Sequence, residues 1–446
     1  MVNKLRNTER GQASVLLAVA FIVLLGFTAL AIDGGMIYSN RRHAQNGSDA
    51  SSLAGGSAAA LYLENHFVTY TNWDCSDTRV IAAQNNDTNG AKAVAISRAG
   101  SNDYSIDEDD ADKNGVRTIC EDNYDNGSWV EKYLDVITTI TSDTSTAFAH
   151  FVYGGPVKNT VEAVTRVRPR TPLAFGNAIV SLAMDCDDGG ILFDGNSTVE
   201  VTGGGIFSNS CITKNGGVGV HVYGDHDITC VLEDCYTENG SSGGLSPTPE
   251  EDTGVPLPPS SYAVPTPDCS GLPNHGSYNK DGTLEPGNYS NVKITGGEHE
   301  MQAGLYCISD DFEINGDVLT GSGVTIYIIG GNFHSSGNAT ISLTAPPSRS
   351  CGPACGTWHA IPGVLIYLAE GNTNEVTLLG TSDSEYLGLV YAPSGSIEAG
   401  GTSSELSEIH AQLVANDVKV HGNTAVVINF DEQMDYQIPA LLELNK

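Results

Sequence analysis

Val324-Thr325-Ile326-Tyr327-Ile328-Ile329 is an unbroken run of β-branched and aromatic residues, preceded by Gly321-Ser322-Gly323 and followed by Gly330-Gly331. Side chains branched at Cβ fit a pleated surface, and glycine on both sides marks turns, so the run reads as a buried strand. Runs of the same kind recur on either side. They include Thr198-Val199-Glu200-Val201, Val218-Gly219-Val220-His221-Val222, Val364-Leu365-Ile366-Tyr367-Leu368, Leu387-Gly388-Leu389-Val390-Tyr391, Gln412-Leu413-Val414-Ala415 and Val426-Val427-Ile428-Asn429-Phe430. One turn signature repeats between them: Gly195-Asn196-Ser197, Gly337-Asn338-Ala339 and Gly422-Asn423-Thr424. Gly and Asn accept a positive φ, and the β-branched residue behind them starts the next strand. Short strands punctuated in this way predict a mainly-β right-handed β-helix (solenoid), with a β-sandwich as the alternative. The first part spans residues 176–238 and the second 286–432. A Pro-rich loop, 239–285, separates them and reads as a semi-extended surface segment with Cys269 pinning its far end. Residues 433–446 read as a C-terminal tail.

Working back to the start, Ala13 to Ile32 (ASVLLAVAFIVLLGFTALAI) carries no charge. At about 1.5 Å per residue it spans about 30 Å, the thickness of a bilayer's hydrocarbon core. It is expected to be a transmembrane α-helix behind a cytoplasmic tail, 1–12, whose Lys4, Arg6 and Arg10 favour an inside N-terminus. A cleaved signal peptide is the rival reading, with Ala29-Leu30-Ala31 imitating a cleavage site. The helix is expected to continue outward, since no proline occurs from Ile37 to Leu63. Ala44, Gly47, Ser51, Ala54, Ala58 and Leu61 recur at heptad spacing, a seam of mostly small residues that permits close helix approach. Its partner is either another protein's helix or this chain's own next helix. Gln45 and Asp49, four apart, are placed to pair. The rest of 33–175 reads as a small extracytoplasmic α+β region. Within it Val80 to Ile96 has helical composition, and Trp129 to Ile140 is open between strand and helix.

The chain of 446 residues has 21 Lys and Arg against 54 Asp and Glu, a formal charge of −33. The first 43 residues hold five of those bases and only two of the acids. So acidic a remainder repels nucleic acid and excludes it as a partner. Ten cysteines (75, 120, 186, 211, 230, 235, 269, 307, 351 and 355) all follow the apolar segment, which predicts disulfides in an oxidising compartment. Their connectivity is open. The spacings Cys230-x4-Cys235 and Cys351-x3-Cys355 fit a zinc knuckle poorly.

One metal motif is present. Asp110, Asp112 and Asn114, followed by Gly115 and, after five more residues, Glu121, fit the pattern of a Ca²⁺ loop, in which alternate side chains aim hard oxygens at one centre. Arg117 in the middle and the absence of a surrounding helix pair speak against it, and a solvated acidic loop is the alternative. Catalysis is not expected. Asp185, Asp187, Asp188 and Asp194, or Asp310, Asp311, His334 and His410, are the carboxylate and imidazole groupings that an enzyme acting on polysaccharide would draw on. Yet no Lys or Arg recurs with them to hold an anionic sugar.

The run Glu9-Arg10-Gly11-Gln12, the apolar span, then Asp33-x-Gly35-x-x-Tyr38, Arg42, Gln45, Asp49 and Leu53-Ala54 resembles the N-terminal segment of TadG-like proteins of Flp pilus assembly. A weaker echo lies at Thr146 to Val164. The segments from Leu284-Glu285-Pro286-Gly287-Asn288-Tyr289 to Gly388-Leu389-Val390-Tyr391-Ala392-Pro393 look like the β-helical region often joined to such N-termini. The resemblance implies a bitopic membrane protein with its bulk outside the cytoplasm, and pilus-assembly proteins or a pilin as partners. Many TadG proteins also carry an Asp-x-Ser-x-Ser metal motif. Asp143-Thr144-Ser145-Thr146-Ala147 fails it at the last position. A non-catalytic structural component is thus expected. A surface adhesin that binds glycan is the first alternative and a polysaccharide lyase or hydrolase the second.

Overall fold

The structure, a computed structural model, describes residues 9–108, 114–125, 130–149, 154–240, 242–279, 282–316, 318–336, 338–347, 359–379, 381, 383–401, 407–422 and 425–445. The chain divides into two compact units, Met1–Arg170 with Pro439–Lys446, and Thr171–Ile438.

The first unit is built on one helix, α1 (Glu9–Asn65). With no proline to interrupt it, the helix runs from the apolar segment straight into the folded unit and stops where Phe67 takes a positive φ of 58°. Two shorter helices follow, α2 (Thr78–Asn85) and α3 (Ala91–Gly100). Asp77 caps α2 by accepting the Arg79 N–H at 2.7 Å. Strands β1 (Gly115–Asp125), β2 (Val130–Thr144) and β3 (Val157–Arg168) form an antiparallel sheet. The stretch whose pattern suits helix and strand alike is therefore strand from Val130 onward. The expected C-terminal tail instead supplies the fourth strand: Leu441–Asn445 pairs with β3, Val164 opposite Asn445 and Arg168 opposite Leu441. A five-residue run is too short to announce itself, and it is the open edge of β3 that makes it a strand. Alanines of α1 and α3 pack with Val136, Ile140, Val161 and Val167 of the sheet in one core. Above it, Arg166 grips Asp135 through two hydrogen bonds of 2.8 and 2.9 Å and lies over the Tyr133 ring.

Among the described residues the second unit is mostly parallel strand, in one sheet of sixteen strands and two of five, beside a single antiparallel pair. One buried row shows its logic. Reading across the ladders, Tyr306, Ile326, Ile366, Val390, Leu413, Ile179, Ile206 and Ile228 are successive neighbours, all fully buried. Each strand sets apolar surface against the next, as buried parallel sheets require. The row does not follow the chain. It begins at one end near Gly287, advances to Leu413, and only then meets Ile179, from which it continues to Ile228. The early block therefore stacks on the end of the late block.

The Pro-rich segment returns the chain from one end of this stack to the other. It bridges Glu250 to Thr229, donates the Leu257 N–H to Asn209 Oδ1 at 2.9 Å, offers the Val264 carbonyl to the Tyr367 hydroxyl at 3.4 Å and is disulfide-bonded at Cys269 to Cys307. Beneath it runs an outward-facing row of Cys307, Tyr327, Tyr367, Tyr391, Val414, Val180 and Phe207. Leu257, Val264 and Leu272 of the segment are buried in the same cluster as most of that row. The two blocks meet beside Gln412, whose side-chain amide donates to the Leu173 and Asn177 carbonyls at 2.8 and 2.7 Å. Its backbone N–H donates to the buried Asp435.

Candidate functional site

The feature with most to say about function is α1. Its apolar part, from Ala13 to Ile32, is exposed along almost its whole length: Leu16 is 71 % exposed and Phe27 67 %. Among the described residues α1 is the one helix long and apolar enough to cross a membrane. From Asp33 onward its character changes. Ala44, Ser48, Ser51, Ser52, Gly55, Gly56, Ala59 and Leu63 form a buried stripe. Three of its serines bond across the contact: Ser48 to the Thr138 carbonyl, Ser51 to the Ala95 carbonyl, both at 2.6 Å, and Ser52 from the Thr165 hydroxyl at 3.0 Å. At Gly55 a Cβ would stand 2.7 Å from the Ala91 carbonyl oxygen, so α1 and α3 touch backbone to backbone.

The heptad seam coincides with this stripe only at its start. Ala44, Gly47 and Ser51 are buried against Tyr104, Ile140 and Ala95, while Ala54 and Ala58 are half-buried and Leu61 is 60 % exposed. A straight helix turns once per 3.6 residues, so a strict seven-residue repeat drifts off the contact line within two heptads. The first half of the seam therefore packs on this chain's own helix and sheet.

The family-motif residues separate by role. Gln45 donates to Asp49 at 2.7 Å, as their spacing predicts. Tyr38 and Arg42 are exposed, as is Gly35. Asp33 is buried, and its two oxygens accept backbone N–H groups of Ala147, Phe148 and Ala149. These bonds join α1 to the chain just after β2, and nothing in the sequence spacing announces them. Asn40 carries no sequence signal either. It donates to the Thr144 hydroxyl at 2.8 Å and the Asp143 carbonyl at 3.2 Å.

Asp110 and Asp112 of the calcium motif lie outside the described residues. Asn114 precedes β1 and its side chain accepts the Thr141 N–H at 3.1 Å, while Glu121 lies within β1 opposite Tyr133. Seven residues of extended chain separate them by about 23 Å, too far for one cation. The second half of the motif is strand because it pairs with β2, a partner outside the motif.

Disulfides join Cys75 to Cys120, Cys186 to Cys211, Cys230 to Cys235 and Cys269 to Cys307. Cys351 and Cys355 lie outside the described residues. Cys230, Cys235 and Glu251 stand close enough to share a metal, but the two sulfurs are bonded to each other.

The acidic groups stand in different local settings. Asp185 accepts the Asp187 N–H, and Asp311 accepts the Asn332 N–H. Asp194 lies on the strand Gly190–Gly195, and Asp310 donates its N–H to the Ser290 carbonyl. His334 lies on the sixteen-stranded sheet between Glu313 and Thr377, whereas His410 bridges to Leu387 and faces Glu408 at 3.2 Å. The ladders also gather a group that no local pattern reveals. Glu398 meets Lys419 at 3.5 Å and His421, and burial, with Glu398 beside it, raises the Glu375 carboxyl above its usual range.

Residues 11–60 match the family model described as putative Flp pilus-assembly TadE/G-like. The N-terminal helix is a TadE/G-like segment. The match takes in both the apolar stretch of α1 and almost all of the buried stripe beyond it. A second model, described as a domain of unknown function (DUF7305), matches residues 268–436, from the pinned end of the Pro-rich segment to just past the last strands of the late block. No curated protein and no solved structure matches the chain. The TadE/G-like helix thus carries a membrane-length segment and a folded unit on one continuous rod.

Proposed function

We propose that the chain is a non-catalytic, single-pass structural component of Flp/Tad-type pilus assembly or cell-surface attachment. Its N-terminus lies in the cytoplasm, and its bulk lies in the periplasm or outside the cell. The TadE/G-like match over the membrane-length helix carries this reading. The orientation rests on Lys4, Arg6 and Arg10 before the helix and on disulfides after it. We take the parallel strands to wind as a right-handed β-helix, since ladder partners such as Gly304 and Val324, or Thr198 and Gly219, lie about one short coil apart in sequence. In this reading α1 anchors the chain and presents Leu53, Ser57 and Leu61, exposed positions at helical spacing beyond the membrane, to a partner helix. The second unit is the rigid part displayed.

Crosslinking with mass spectrometry on native membranes tests this. Recovery of pilin, secretin or pilus-motor platform subunits is the expected result. Recovery of only the protein itself with envelope polymer would replace assembly by the glycan-binding adhesin.

A further inference from the structure

An ionised carboxylate immediately beyond a bilayer-length apolar run must be answered by partners, because hydrocarbon on one side gives it none. Asp33 follows Ile32 directly and is only 4 % exposed. Its oxygens accept three consecutive backbone N–H groups, from Ala147 at 2.7 Å, Phe148 at 3.1 Å and Ala149 at 2.5 Å. Two turns further on, Asn40 holds Thr144 and the Asp143 carbonyl. The end of β2 and the turn after it are thus clamped along α1 between residues 33 and 40.

The depth of this clamp follows from the helix. Residue 33 lies about 1.5 Å along the axis from the last residue of the apolar run. A helical side chain leans toward the helix N-terminus, here toward the membrane. The N–H groups that meet the Asp33 carboxylate therefore lie level with the edge of the hydrocarbon. Phe148, in the middle of that triplet, is 45 % exposed, and Met36 and Tyr38 on the adjoining turn of α1 are 42 % and 69 % exposed. An exposed aromatic belongs at such a level, where its ring meets the headgroup and acyl boundary.

We propose that residues 145–149 form a membrane-contact turn. Asp33 holds it down, and Phe148 seats in the interface of the same bilayer that α1 crosses. The turn fixes how far the first unit stands from the lipid and stops it from swinging on α1. The occupant is the bilayer itself, because the contact is continuous with the span. The proposal rests on α1 being a membrane span, and its test separates the two.

The full-length Phe148→Trp variant is reconstituted in phosphatidylcholine bilayers brominated near the headgroup, and its emission is compared with that of the unsubstituted chain. The added fluorescence is expected to be blue-shifted and quenched by the shallow bromines, and shielded from acrylamide in water. In the Asp33→Ala, Phe148→Trp double variant the quenching is lost while the chain still resists carbonate extraction. An integral chain whose added indole signal responds to acrylamide and not to brominated lipid overturns the turn while leaving the span intact. Quenching that is unchanged by Asp33→Ala overturns the role given to Asp33. A chain that carbonate releases overturns the span, and the turn with it.

Discussion

Asp435 is the residue whose chemistry has the plainest consequence. It is fully buried. Burial pushes its carboxyl up to about 8, and the nearby Asp431 adds to this, although the Gln412 and Asp431 N–H groups oppose it. The folded chain therefore holds a proton here that the unfolded chain releases near pH 4. Stability contributed by the protonated form is present at low pH and falls as pH rises through that window, by about 1.4 kcal/mol per unit at its steepest. Hydrogen exchange at residues 412–415 and 431–436 is expected to lose protection progressively between about pH 4 and 8, and Asp435→Asn to flatten that dependence. An unchanged slope in the variant would show that another group titrates. Asp435 is not legible in the sequence, because its neighbours are the backbone of residues that the fold alone brings near. The Gln45–Asp49 pair is legible because both partners sit on one helix, four residues apart. Asp33 is legible as a motif residue and illegible as a clamp, since its partners lie more than a hundred positions away.

At the scale of elements, local pattern suffices for the helix and the strands and fails where a partner decides the outcome. The apolar run names α1, and glycine-bounded β-branched runs name Val324–Ile328 and Val364–Leu368 as strands. Strand Leu441–Asn445 and the second half of the calcium motif take their conformation from β3 and β2, which no local window contains. The helix contact itself can be tested at Gly55. An added methyl there meets the Ala91 carbonyl oxygen at 2.7 Å and the Ala95 Cβ at 3.0 Å. Gly55→Ala is expected to cost about 1–3 kcal/mol through overpacking. At Gly100, the last residue of α3, a Cβ meets nothing within 4 Å. Gly100→Ala is expected to be neutral or slightly favourable. Exchange protection across α3 and β2 in the detergent-solubilised full chain would report both, and equal effects would mean that the contact is looser than described.

For the whole molecule, chain order and spatial order part company. Residues 171–438 leave the first unit after Arg168, which is paired with Leu441, and they begin and end on another pair, Thr171 with Ile438. The second unit is thus an insertion between neighbouring strands of the first. Replacing 171–438 with a short turn is expected to leave the four-stranded sheet intact, with the exchange protection of β2 and β3 retained. Collapse of that protection would show that the first unit depends on the insertion. The same arrangement governs what a protease could release. A single cut in the Pro-rich segment leaves the amino-terminal piece on α1. The carboxy-terminal piece stays held by strand Leu441–Asn445 and by the ladder from Leu413 to Ile179. Releasing the second unit from α1 would take two cuts, one on each side of it, so a lone nick on an exposed loop leaves it tethered.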